Sequence, residues 1–187
     1  MIRFFLFLTV SASLLPTILR AAERKDPGKP DLVHMDSVSV SPGESFVLGL
    51  HVRADDVTSH DNKEWKGVGT FNIPLKYDDA AIRLDSVKFV GVFSKWDEKF
   101  TNLKIDTGFV AFSGIHNIAG GDNPVLHSPK KAEEVIRLFA TVSKDAVPGV
   151  YLFETTYDPI QKDLFLGSID GFHSWRPQFT PGKVVVK

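Results

Sequence analysis

Cysteine is missing from all 187 residues. Disulfides, thiolate metal sites and thiol catalysis are thereby excluded, and an exported form of the chain must stand on packing alone. Other absences narrow the chemistry further. The sequence has no Gly-x-Ser-x-Gly, no His-Glu-x-x-His and no phosphate-cradling glycine loop. His51, His60, His116 and His127 lie in separate segments, without the i, i+2 or i, i+4 spacing that presents two imidazoles to one metal. Asp55, Asp56 and Asp61, and the pair Asp122-Asn123, lack the twelve-residue calcium-loop pattern and read as solvated turns. Asp106, Asp122, Glu154 and Asp158 can be paired on paper as glycosidase carboxylates, but 23 acidic residues permit many such pairings. No catalytic residue, cofactor or metal is expected, and the chain reads as a non-enzyme.

Long apolar runs are also scarce. The strongest, Phe4 to Val10, follows Arg3 and is broken by Ser11, Ser13, Pro16 and Thr17, short of the roughly 20 apolar residues that a spanning helix needs. With Ala21-Ala22 after it, the segment 1–22 reads as a secretory signal peptide, and the expected location is secreted, extracellular or periplasmic. Its removal takes away Arg3 and Arg20, so 22 basic residues become 20 against 23 acidic ones, a net charge of −3. Neither a nucleic acid nor, after cleavage, a membrane is an expected partner.

What remains is β-rich. Residues 23–31 are charged and contain proline, a short tether to a single domain at 32–187. Phe46, Leu48, Leu50 and Val52 alternate with Val47, Gly49, His51 and Arg53 after a Ser41-Pro42-Gly43 turn. Phe71, Ile73, Leu75 and Tyr77 share one face of a second strand, with Thr70, Asn72, Pro74 and Lys76 on the other. Asp78-Asp79 supplies a turn, and Pro74 favours an edge or a bulge. Ile136, Leu138, Ala140 and Val142 form a third inward row, Ser128-Pro129 starts one expected helical turn, and Val184 to Val186 close the chain. About nine short strands with turns every 8 to 12 residues predict an all-β, antiparallel β-sandwich.

Three segments, in order, carry a family resemblance. Gly67 to Leu84, an alternating strand ending in Tyr77-Asp78 before an aliphatic restart, resembles the cohesin pattern; Glu134 to Gly149 is similar to that family's late strand and Pro-Gly turn, and Gly182 to Val186 to its closing strand. The resemblance implies a nine-stranded jelly-roll sandwich, related in fold to carbohydrate-binding modules. It also implies adhesion to dockerins, the paired calcium-binding helical segments of secreted enzymes, in complexes that degrade polysaccharide. By the same resemblance, Thr70 and Asn72 stand where better-known members often place Asn and Asp, and Lys76 follows on that face. Phe112, Ser113, Arg137 and Phe139 are further candidates on the strands expected to adjoin. Asp79-Ala80 departs from the proline usual after Tyr-Asp.

Trp65, Trp96 and Trp175 support a different reading. Exposed in a row they would form a stacking platform for polysaccharide, the carbohydrate-binding alternative; buried, they would pin the polar loops around them.

Overall fold

The computed structural model describes residues 26, 28–55, 67–104, 107–117, 122–157, 163–169 and 173–187. Among them are thirteen strands: β1 (Leu32–Met35), β2 (Ser37–Val40), β3 (Ser45–Arg53), β4 (Thr70–Lys76), β5 (Ile82–Phe89), β6 (Glu98–Lys104), β7 (Phe109–Ile115), β8 (Glu133–Val142), β9 (Gly149–Thr155), β10 (Phe165–Gly167), β11 (Ser174–Trp175), β12 (Gln178–Thr180) and β13 (Gly182–Val186). They form two sheets packed face to face, the expected sandwich. One runs β12-β1-β3-β8-β5; the other runs β11-β10-β4-β9-β13-β2, with β7 beside β4 and β6 beside β7.

Two extended segments at the chain's ends each become two strands by changing sheets. β1 pairs with β3 in the first sheet, while β2, one residue later, pairs with β13 in the second. The crossing residue is Asp36, whose N–H donates to the Gly49 carbonyl at 3.0 Å while its Oδ2 accepts from the Gly49 N–H at 2.9 Å. Pro181 marks the same crossing between β12 and β13. Both crossing pairs are parallel, β1 with β12 and β2 with β13, in an otherwise antiparallel structure.

The alternating rows behave as the period of two requires. Phe46, Leu48, Leu50 and Val52 of β3, Phe71, Ile73 and Leu75 of β4, and Ile136, Leu138, Ala140 and Val142 of β8 are all buried in one core. Asp78 Oδ1 accepts from the Ala80 and Ala81 N–H groups at 3.0 and 3.2 Å, the side-chain turn that restarts the chain at Ile82. Tyr77 donates its N–H to the Gly108 carbonyl at 2.8 Å and stacks on Phe153 at 5.1 Å. Gly108 itself has φ +58, and a Cβ there would stand 2.1 Å from the Tyr77 carbonyl oxygen, so only glycine fits.

Two local expectations are corrected. Pro74 lies on a central strand, not an edge: β4 is paired with β7 along its length. On its other side β10 pairs with Thr70 to Asn72 and β9 with Leu75 and Lys76, so proline occupies the gap where neither ladder needs its missing N–H. Ser128-Pro129 starts no helix; residues 129–131 form a bend, and the Ser128 hydroxyl donates to the Lys131 carbonyl.

Buried indoles pin loops. Trp96 follows a 3-10 turn at Gly91–Lys95, packs on Phe71 and Phe93 at 5.4 and 4.5 Å, and donates Nε1–H to the Pro124 carbonyl at 2.8 Å. Trp175 donates Nε1–H to Asp31 Oδ2 at 2.8 Å. Asp31 is buried at the end of the expected tether and accepts on Oδ1 from the Asp55 N–H at 2.8 Å, while its own N–H donates to Asp26 Oδ2. Burial, then the neighbouring Asp26 carboxylate, push the Asp31 carboxyl up to about 7; burial raises Asp26 to about 6. No helix among the described residues is long and apolar enough to cross a membrane.

Candidate functional site

The outward face of β6, β7, β4 and β10 is ordered by register, because residues opposite one another across strands share a face. Its rows read Glu98–Ile115–Thr70–Gly167, then Phe100–Ser113–Asn72–Phe165, then Asn102–Ala111–Pro74, then Lys104–Phe109–Lys76–Glu154. Phe100 is 57% exposed and Ile115 40%, large apolar groups left in water on the outermost strand and at one end of the face. A surface cavity of about 410 Å³ opens there, lined by Phe100, Thr101, Asn102 and Ser113. At the far end Lys76 reaches Glu154 at 3.4 Å, and Lys104 sits 4.6 Å above the Phe109 ring.

Asn72 is at the middle of this face yet only 3% exposed. The chain leading into β10 lies over it: Asn72 Nδ2 donates to the Asp163 carbonyl at 2.8 Å, and its Oδ1 accepts from the Ser113 hydroxyl at 2.7 Å. Both ends of the amide are engaged inside the molecule, so Asn72 braces the face.

Of the residues proposed from sequence, Thr70, Asn72, Lys76 and Ser113 come together here. Phe112 does not. It is opposite Ile73, fully buried, with its ring edge-on to Phe89 at 6.4 Å, because one residue along a strand reverses the side. Arg137 and Phe139 are on β8, between β3 and β5 in the other sheet, and share no surface with Thr70. Arg137 Nε donates to Glu134 Oε1 at 2.8 Å, and Phe139 is half-buried opposite Val47 and Ser86. Trp96 and Trp175 are buried and present no stacking face; Trp65 lies outside the described residues. Among the described residues no three His, Asp or Glu side chains are grouped to hold a metal.

Phe100, Ile115 and Asn102 escape the sequence reading. Glu98 to Lys104 alternates, but each face carries a single large apolar residue, Phe100 on one and Leu103 on the other, too weak a contrast to mark a strand. Thr107-Gly108 just beyond is the usable signal, a turn between two extended segments.

The fold matches solved structures. No family model matches the chain, and no curated protein matches it. A type I cohesin–dockerin complex from Clostridium thermocellum is 15% identical, with a TM-score of 0.65 over 85% of this chain and 100% of that one. The seventh ScaB type I cohesin from Pseudobacteroides cellulosolvens is 18% identical, with a TM-score of 0.61 over 84% and 92%. A non-cellulosomal cohesin from Archaeoglobus fulgidus is 9% identical, with a TM-score of 0.59 over 85% and 92%. The fold is therefore that of cohesins, a jelly-roll sandwich.

Proposed function

We propose that the chain is a non-catalytic, secreted adhesion module that binds a dockerin-type protein module through the outward face of β6, β7, β4 and β10, in extracellular complexes that degrade polysaccharide. The observation that carries the reading is the exposure of Phe100 and Ile115 beside a shallow cavity, on a sandwich whose fold matches solved cohesins, among them one in complex with a dockerin. Large exposed apolar side chains within a polar rim are what a protein interface uses as anchors. Glu98 at one end and Lys76 and Lys104 at the other supply that rim. A leader at 1–22 and a lead-in at 23–31 complete the proposed layout.

Recognition then differs from the sequence expectation in one respect. Thr70 and Lys76 remain contacts, but Asn72 and Ser113 act from beneath, holding the floor on which Phe100 stands. Pull-down from the source organism's secretome in calcium, using the mature chain as bait, should retain a protein carrying a dockerin-type module. Retention of no secretome protein, with or without calcium, would sink the proposal. The burial of Trp96 and Trp175 removes the observation that favoured polysaccharide as the direct ligand.

A further inference from the structure

The end of the partner face at Glu98, Ile115 and Thr70 is closed by a histidine that the adhesion reading does not use. His116 follows the last residue of β7, is 8% exposed, and packs its ring 5.9 Å from that of Trp96. Its backbone N–H donates to the Gly69 carbonyl at 2.9 Å, and Gly69 N–H in turn donates to the Gly167 carbonyl at 2.9 Å, so this one position ties β7, β4 and β10 together. The ring lies close against that joint: a Cβ on Gly69 would stand 3.0 Å from His116 Nδ1.

Two polar atoms are left over at this point. His116 Nδ1 and Asn117 Oδ1 are both buried without a hydrogen-bond partner, and Asn117 has φ +56, a left-handed conformation uncommon for a residue with a side chain. With the ring neutral, the unpaired Nδ1 carries no charge and costs less than a buried ion would. A protonated imidazole carries N–H on both nitrogens, so Nδ1 then becomes a buried charged donor with the Gly69 carbonyl as its backbone acceptor, a contact that does not offset the burial of the charge. The acceptor next in sequence, Asn117 Oδ1, is available to it only if the turn rearranges.

We propose that His116 is an acid-sensitive latch on the partner face. The neutral ring holds the Gly69–His116 joint shut, and protonation drives the ring and the Asn117 turn out of the packed position, loosening the end that carries Thr70, Ile115 and Glu98. The groups facing the ring agree with this. From the loop after the 3-10 turn comes Asp97, which favours the charged form but is already bonded by Asn123 Nδ2. The next charges along the chain, on β6, do not bear on the ring: Glu98 is opposite Ile115 on the outward face, and the Lys99 ammonium is held by the Trp96 carbonyl. Gly69 offers only its carbonyl, and Ser168 and Ile169 after β10 carry no charge. Burial outweighs Asp97 and Gly69 and lowers the imidazole's pKa from its ordinary 6.5. The latch is thus closed at neutral pH and opens on acidification. Its effect on binding rests on the adhesion reading; its effect on the free protein does not.

The test is an NMR titration of the mature chain from pH 8 to pH 5. His116 should titrate with its midpoint below the ordinary 6.5. The amides of Gly69, Thr70 and Ile115 should shift with the His116 midpoint, and hydrogen exchange at Gly69 and His116 should accelerate below it. His116→Gln should abolish the coupled shifts. A His116 midpoint at or above 6.5, or coupled shifts that persist in His116→Gln, would overturn the proposal. If the free protein behaves as expected and a captured partner binds equally across the range, the latch stands and the partner face is misassigned.

Discussion

Ser113 and Asn72 face each other across β7 and β4, and the serine hydroxyl donates to the asparagine amide oxygen at 2.7 Å beneath the Asp163 carbonyl. Asn72→Ala strands both partners in a poorly hydrated spot and should lower stability by about 1–3 kcal/mol. Urea unfolding at pH 7 measures it. An unchanged midpoint would mean that water replaces the amide and the brace is dispensable.

Phe100 should behave in the opposite way. More than half of it is in solvent, so Phe100→Ala is expected to change stability by no more than about 0.5 kcal/mol, since its ring is not part of the core. Thermal unfolding checks this. A large loss of stability would show that the ring supports the fold and is not available as an anchor.

Gly108→Ala is expected to cost about 1–3 kcal/mol or to prevent folding, because φ is +58 and the added methyl meets the Tyr77 carbonyl. Yield and urea midpoint against wild type decide it. A neutral outcome would mean that the Tyr77–Gly108 turn yields at no cost.

The carboxylate group at the start of the domain predicts a pH dependence. The folded pKa values of Asp31 and Asp26, about 7 and about 6, lie above the unfolded value of 3.8, so the folded state holds more protons between those limits. Stability from these two groups therefore falls as pH rises from about 4 to about 7, and their full penalty is present above pH 7. His116 acts in the opposite direction, removing stability as pH falls below 6.5. Asp26→Asn keeps an acceptor for the Asp31 N–H and removes one of the three like charges of Asp26, Asp31 and Asp55, so it should raise the unfolding midpoint at pH 8 and flatten the profile between pH 5 and 8. A variant profile parallel to wild type would contradict the cluster's role.

Much of the fold is legible where one strand face is uniformly apolar. Phe46 to Val52, Phe71 to Leu75 and Ile136 to Val142 each declare a strand and its buried side, and Asp78 declares the turn. Strand order is not in any of these patterns. Arg137 and Phe139 alternate as a strand should, yet nothing local says that β8 joins β3 and β5 in place of β7. Phe112 is misplaced for a related reason, since Phe109 to Phe112 is apolar throughout and has no phase until Ile73 sets it. The sheet crossings at Asp36 and Pro181 split segments that read as continuous, which adds two strands to the nine expected, and the short β10 and β11 add two more. Asn72 is found by its resemblance to a contact position, but its burial depends on Asp163, 91 residues later.

The adhesion account is tested most directly by retention of a calcium-loaded, dockerin-bearing secretome protein on three immobilised forms: wild type, Phe100→Ala, and the double variant Arg137→Ala with Phe139→Ala on the other sheet. The account predicts retention by wild type and by the double variant, and at least a tenfold loss with Phe100→Ala, as for an interface anchor. Equal retention by Phe100→Ala together with loss in the double variant would place the interface on the β8 sheet and contradict it.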